Sequence, residues 1–271
     1  MRAVALLAVL VFLNTPKLNA APSNDITLRQ HQAARDALFK ILIASATNYT
    51  FKYVVINLPV GAVPGRNFPI PVSHIRYEST VFFKFDEFTL QPNAKHILKD
   101  LAQVIKQDTA LRSLLIVGHT DSVGTDEYNV TLSKKRAFTV ATSLQTEGVN
   151  AKFIHIIPMG KEQPFATNST VEGRELNRRV EFFISDIPGA TEKAVQLSPF
   201  NPCFRNDQDV EGSRPGSGCD NTSKRIPVFS PDSDTPTRLI NLTPRPPERA
   251  RLPDIKFERP PLRELDPNSG K

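Results

Sequence analysis

The stretch from residue 77 to 187 alternates between strand-like and helix-like runs, and this alternation most constrains the fold. Thr80–Phe85, rich in Phe and Val, reads as a strand. Pro92 opens a helix to Lys106 with Ile97, Leu98, Leu101, Val104 and Ile105 on its inner face. Leu114–Val117 is a continuous apolar run, as expected of a strand buried on both faces. A long helix spans about Asp126 to Thr146 and stops at Gly148. Phe153–Pro158 reads as a third strand, Gly160–Glu172 as a polar loop, and Arg179–Ile184 as the last strand. The order is β-α-β-α-β, a turn or short helix, then β. This predicts an α+β domain whose mixed sheet carries helices on one face.

The flanking regions read differently. Arg2, the apolar run Ala3–Leu13 and the small residues Ala20 and Ala21 have the layout of a secretory signal peptide over residues 1–21. The run is about half the roughly 20 residues of a spanning helix. No Cys follows it to anchor a lipid, and no later segment is long and apolar enough to span a bilayer. Residues 22–76 read as an N-terminal helix over 25–47 and a short β segment. In the helix, Leu28, Ala34, Leu38, Ile41 and Leu42 recur near helical spacing and Asp25 is placed to cap. The β segment holds Phe51–Leu58 and Phe68–Ile75, split by Gly61, Pro64 and Gly65, and is far too short for a membrane barrel. More than half of the 23 prolines lie beyond residue 190. Residues 188–271 therefore read as a mostly disordered tail. Its one local exception is a Cys203–Cys219 disulfide loop, favoured by export over two free thiols.

The formal charge of +6 is spread among acids, with no basic run on an aromatic platform. That pattern argues against nucleic acid and for an ordinary mixed surface. The histidines show no metal spacing, so no metal or cofactor is expected. No nucleophile or activated-water set appears, so the chain does not read as an enzyme.

Gly118-His119-Thr120-Asp121 ends the buried strand, and the long helix begins shortly after. Ligands in α/β architectures sit at such junctions. Asn129, Ser133 and Arg136 stack on one face of the helix beside the apolar stripe. A guanidinium placed there wants an anion. Asp121 could pair with Arg136 as a structural ion pair, or the two could flank a gap and share a zwitterion. Parity puts Arg178 on the face of Val180, Phe182 and Ile184, and Asp86 ends the first strand, so several polar groups converge on one rim.

Several motifs carry a family resemblance. They are Val81–Leu90, Gly118-His119-Thr120-Asp121, Gly124, Asn129, Leu132-Ser133, Arg136-Ala137, Gly160, Pro164, Asn168, Gly173-Arg174 and Asn177–Glu181. Together they resemble the OmpA-like peptidoglycan-binding domain over about residues 78–187. The resemblance implies a non-enzymatic site for the diaminopimelate residue of the peptide stem. Asp121 would receive the ammonium and Arg136 a carboxylate. Asn129 and Arg178 would line the pocket, Asp86 would close it, and Thr120 and Val123 would lie in the loop around the ligand, Val123 through its backbone. Lys84 departs from the acidic residue often found at its position, which alters the rim charge. The implied protein is a periplasmic tether bound to peptidoglycan and associated with the outer membrane. The alternative is the wall anchor of a secretion, motor or efflux assembly, with an envelope partner docked through residues 25–47 or the tail.

Overall fold

The computed structural model describes residues 25–46, 49, 51–78, 81–196 and 224–242. The signal-peptide reading and the Cys203–Cys219 loop lie outside the described residues. Helix α1 (Asp25–Ser45) leads into an antiparallel pair, β1 (Phe51–Leu58) and β2 (Ile70–Glu78). Next come α2 (Pro92–Gln107), β3 (Ser113–His119), α3 (Asp126–Thr146) and β4 (Ile154–Gly160). A short α4 (Val171–Asn177) precedes β5 (Arg179–Ser185) and α5 (Ala190–Gln196), and a hairpin of β6 (Lys224–Phe229) and β7 (Pro236–Leu242) follows. All strands join one mixed sheet in the order β1-β2-β5-β3-β4-β6-β7. Only β3 and β4 run parallel, as the crossover through α3 requires.

The strands divide their side chains by parity. Leu114, Ile116, Val180, Phe182 and Ile184 join the cluster of α2 and α3. Leu115, Val117 and Phe183 face the other way, with Ala190, Ala194, Ile226 and Val228. Both faces of β3 are buried, which accounts for its unbroken apolar run. Gly118 lets α3 close on the strand, because a Cβ there would meet the Ser133 carbonyl oxygen at 2.4 Å.

Three expectations are corrected. Residues 81–85 are not a strand. Phe82 and Phe83 are both buried, which a half-buried strand does not allow for neighbours. The chain turns there, and a Phe83–Leu90 bridge closes a loop with Asp86 in the left-handed region (φ 61°). The sheet position beside β5 belongs instead to β2, which runs through the expected boundary between residues 76 and 77. The β segment is thus part of the same sheet as the body. Finally, α5, β6 and β7 fall within the stretch read as mostly disordered, with Val195, Ile226 and Val228 buried.

Helix α1 begins where expected and turns Leu28 and Leu42 inward as expected, with Leu38 packed against the core, but its inner face is rotated away from Ala34 and Ile41. Leu28, Gln32, Arg35, Phe39 and Leu42 are buried, while Ala34 and Ile41 are exposed. Polar anchors set this orientation. Arg35 donates to Asp108 (2.5 Å) and to Asp186, and Gln32 donates to Asp36 (2.6 Å) and Ser73 (2.9 Å).

Candidate functional site

One pocket of about 290 Å³ opens where β3 ends and α3 begins. Its wall includes every expected site residue: Asp86, Thr120, Asp121, Val123, Asn129, Arg136 and Arg178. Phe85, Gly124, Tyr128 and Leu132 complete it and were missed by the sequence reading. Leu132 follows Asn129 by three positions and Tyr128 by four on the same helix, a spacing that could have flagged them.

Thr120 and Asp121 leave the sheet directly after β3, and Thr125 caps α3 by accepting from the Tyr128 N–H (3.2 Å). Between them the loop is tied to itself. The Val123 N–H donates to Asp121 Oδ1 (3.0 Å), and Asn129 Nδ2 donates to the Val123 carbonyl (2.9 Å). The Val123 backbone therefore organises the loop, while its side chain lines the pocket and stays exposed. Thr120 Oγ1 donates to the Asp121 carbonyl (3.0 Å). The polar loop before α4 braces the other side, where the Ser122 N–H donates to Asn168 Oδ1 (3.1 Å) and Asn177 Nδ2 donates to the same oxygen (2.8 Å). Ser133, grouped with Asn129 and Arg136 in the sequence, is not part of the pocket wall. Its Oγ accepts from the Gly160 N–H (3.0 Å) and pins β4 to α3.

The charges are not paired as a simple Asp121–Arg136 bridge. Asp121 Oδ2 accepts from Arg178 Nη1 at 2.7 Å. Arg136 reaches the loop of residues 83–90 instead, where Nε donates to the Glu87 carbonyl (2.9 Å) and Nη2 to the Lys84 carbonyl (3.4 Å). Lys84 thus contributes through its backbone, whatever its side-chain charge. Arg136 Nη1 is buried and has no hydrogen-bond partner. Burial first, and then the nearby Arg178 guanidinium, lower the Arg136 pKa below its ordinary value. Asp86 receives the Tyr128 hydroxyl, and that hydrogen bond is the main cause raising the phenol's pKa.

The pocket therefore joins two carboxylates, two guanidiniums, an amide and an apolar wall of Phe85, Leu132 and the Tyr128 ring. Such a set can recognise a small molecule bearing both an ammonium and a carboxylate. Among the described residues no group of His, Cys, Asp and Glu is arranged to hold a metal ion.

Comparison with known proteins places these features in a family. The OmpA family profile matches residues 82–178, from the loop that cradles Arg136 to Arg178 itself. Outer membrane protein A of Bordetella avium is 38% identical over 128 residues, which cover 47% of this chain and 65% of that protein. Outer membrane porin F of Pseudomonas aeruginosa is 40% identical over 114 residues, 42% of this chain but only 32% of the porin. The peptidoglycan-associated lipoprotein of Legionella pneumophila is 34% identical over 122 residues, 45% of this chain and 67% of the lipoprotein. Among solved structures, a putative MotB like protein from Desulfovibrio vulgaris aligns over 59% of this chain and 93% of its own, at 20% identity and a TM-score of 0.47. The chain spans less than two thirds of the first two relatives, and the region matched by the family profile holds α2, β3, α3, β4, α4 and every residue of the pocket wall. On its sequence and on the share of the Legionella relative that it covers, the chain belongs to the OmpA family.

Proposed function

We propose that this protein anchors itself non-covalently to cell-wall peptidoglycan in the bacterial periplasm, by holding the diaminopimelate residue of the peptide stem in this pocket. The observation that carries the reading is Arg136. Its guanidinium is buried against two backbone carbonyls, touches no carboxylate, and keeps one nitrogen without a partner. A buried cation left so is costly until an anion arrives. A ligand carboxylate supplies that anion at Arg136. The ligand ammonium is taken by Asp121, whose pairing with Arg178 leaves lone pairs for a second donor, and by Asp86 across the mouth. Asn129 and Arg178 frame the site, and Thr120 and Val123 set the loop around it. No bond is made or broken, and the process is recognition alone. The names of relatives agree with this, since one is called peptidoglycan-associated and others are outer membrane proteins.

Co-sedimentation of the full chain with purified sacculi tests the proposal. Free diaminopimelate should release the protein, whereas lysine, which lacks the second carboxylate, should not. Asp121→Ala and Arg136→Ala should each abolish sedimentation while leaving circular dichroism unchanged. Retained binding by either folded variant would sink the assignment, and release of soluble fragments from labelled sacculi would contradict a pure binder.

A further inference from the structure

The turn that presents Asp86 is held in an unfavourable shape. The Glu87 N–H donates to the Lys84 carbonyl (3.2 Å) and closes a four-residue turn with Asp86 in its third place. Asp86 stands there at φ 61°, where glycine is at home and a side chain costs strain. A residue kept in such a conformation has a use for its side chain. Asp86 is exposed, so that use is not packing.

Tyr128 fixes this carboxylate. Its hydroxyl donates to Asp86 Oδ1, and among the described residues Asp86 Oδ2 meets no donor. The raised phenol pKa keeps the hydroxyl protonated, and so donating, across the neutral range. Tyr128 is itself 46% exposed, and a hydrogen bond between two exposed side chains adds little to the fold. Space is nevertheless kept for the ring, because a Cβ on Gly124 would come within 3.2 Å of Tyr128 Cδ1. Tyr128, Leu132 and Arg136 follow at intervals of four along α3 and form one row about 12 Å long. The turn is tied to both ends of that row. At one end the Lys84 and Glu87 carbonyls receive Arg136, and at the other Asp86 receives Tyr128. The row thus holds the unmatched cation at one end and a half-free carboxylate at the other.

We propose that Tyr128 is a positioning residue that sets Asp86 as a second carboxylate for the ligand ammonium, and so makes the pocket select an amino acid over a plain dicarboxylate. The inference rests on the reading that the pocket holds a zwitterion.

Calorimetric titration of the full chain tests it, with diaminopimelate and with pimelate, the same dicarboxylate without its amines. The parent should prefer diaminopimelate. Tyr128→Phe keeps the ring and should weaken diaminopimelate about tenfold but pimelate less than about twofold, with the thermal melt unchanged. Asp86→Gly relieves the strained turn, so it should melt no lower than the parent while binding diaminopimelate at least about tenfold less. The double variant should bind no worse than Asp86→Gly alone, because Tyr128 acts through Asp86. Equal weakening of both ligands by Tyr128→Phe, or additive losses in the double variant, overturns the proposal. If Tyr128→Phe disturbs folding, Asp86→Gly carries the test alone, and unchanged preference for diaminopimelate in that variant overturns it. A parent that binds neither ligand overturns the zwitterion reading and this inference with it. A parent that binds diaminopimelate no more tightly than Tyr128→Phe does overturns this inference alone.

Discussion

Among the described residues, Arg35, Arg136 and Arg179 are at most 2% exposed, and they are not alike. Arg35 meets two carboxylates, those of Asp108 and Asp186, and bridges α1 to the ends of α2 and β5. Arg179 meets Glu181 at 2.5 Å and two backbone carbonyls, with Glu181 also accepting from buried His74 at 3.1 Å. Arg136 meets only carbonyls and ends in a pocket. The pKa directions follow the contacts. Burial pulls Arg35 down, but Asp108 and Asp186 outweigh it and leave it raised, whereas at Arg136 burial and Arg178 outweigh the more distant Asp86 and Asp121 and leave it lowered. A buried charge matched within the fold stabilises the fold, and one left unmatched is available to a ligand.

That contrast can be broken by substitution. Arg35→Met should cost the most stability, about 3–5 kcal/mol in denaturant unfolding, because it strands two buried carboxylates. An Arg35→Met variant as stable as the parent would end the comparison.

Acid should act next, through the cluster around Arg179. His119 is buried, and burial first, then Arg179, lowers its pKa to about 3. The unfolded chain takes a proton near pH 6.5, so stability present above that value is lost as pH falls toward 3. The expected slope is on the order of 1 kcal/mol per pH unit, and His119→Gln should flatten it. Glu181 adds to the loss at lower pH. Burial would raise its pKa, but Arg179, His74 and His119 hold it well below the ordinary carboxylate range, so its contribution fades as pH drops beneath that range. Urea midpoints measured between pH 7 and pH 4 would check the first, and continuing them to about pH 2 would check the second.

Arg136→Met should be the mildest change to the fold, at most about 1 kcal/mol, since the desolvation it removes offsets the two hydrogen bonds it loses. The same variant should bind sacculi at least about 30-fold less, the lower end of what truncating one partner of a buried charge pair costs. A large loss of stability with binding retained would place Arg136 beside Arg35 as a structural residue.

Local pattern made much of this legible in the sequence. The spacing of Ile97, Leu98, Leu101 and Val104 and the apolar run of β3 report their own burial, so α2, β3 and α3 could be read within a few residues. The convergence of Asp86, Asp121, Asn129, Arg136 and Arg178 followed from helix spacing, strand parity and the family motifs. Relations between distant segments were not legible. Asp121 and Arg178 are 57 residues apart, and nothing local says that this pair, and not Asp121 with Arg136, forms the bridge. The strand-like composition of Val81–Phe85 concealed a loop whose carbonyls receive Arg136. On α1 the buried row includes Gln32 and Arg35, whose partners lie on β2 and beyond the ends of α2 and β5, where local spacing does not reach.

The place of β3 in the sheet has a mechanical consequence. Asp121 follows directly from β3, and β3 is held between β5 and β4. Its hydrogen bonds to β5 lie across the strand direction. Tension on the pocket therefore pulls along β3 and strains many of these bonds in shear at once, instead of peeling them apart singly. The strand that would feel such a pull first lies in the interior of the sheet, not at its edge.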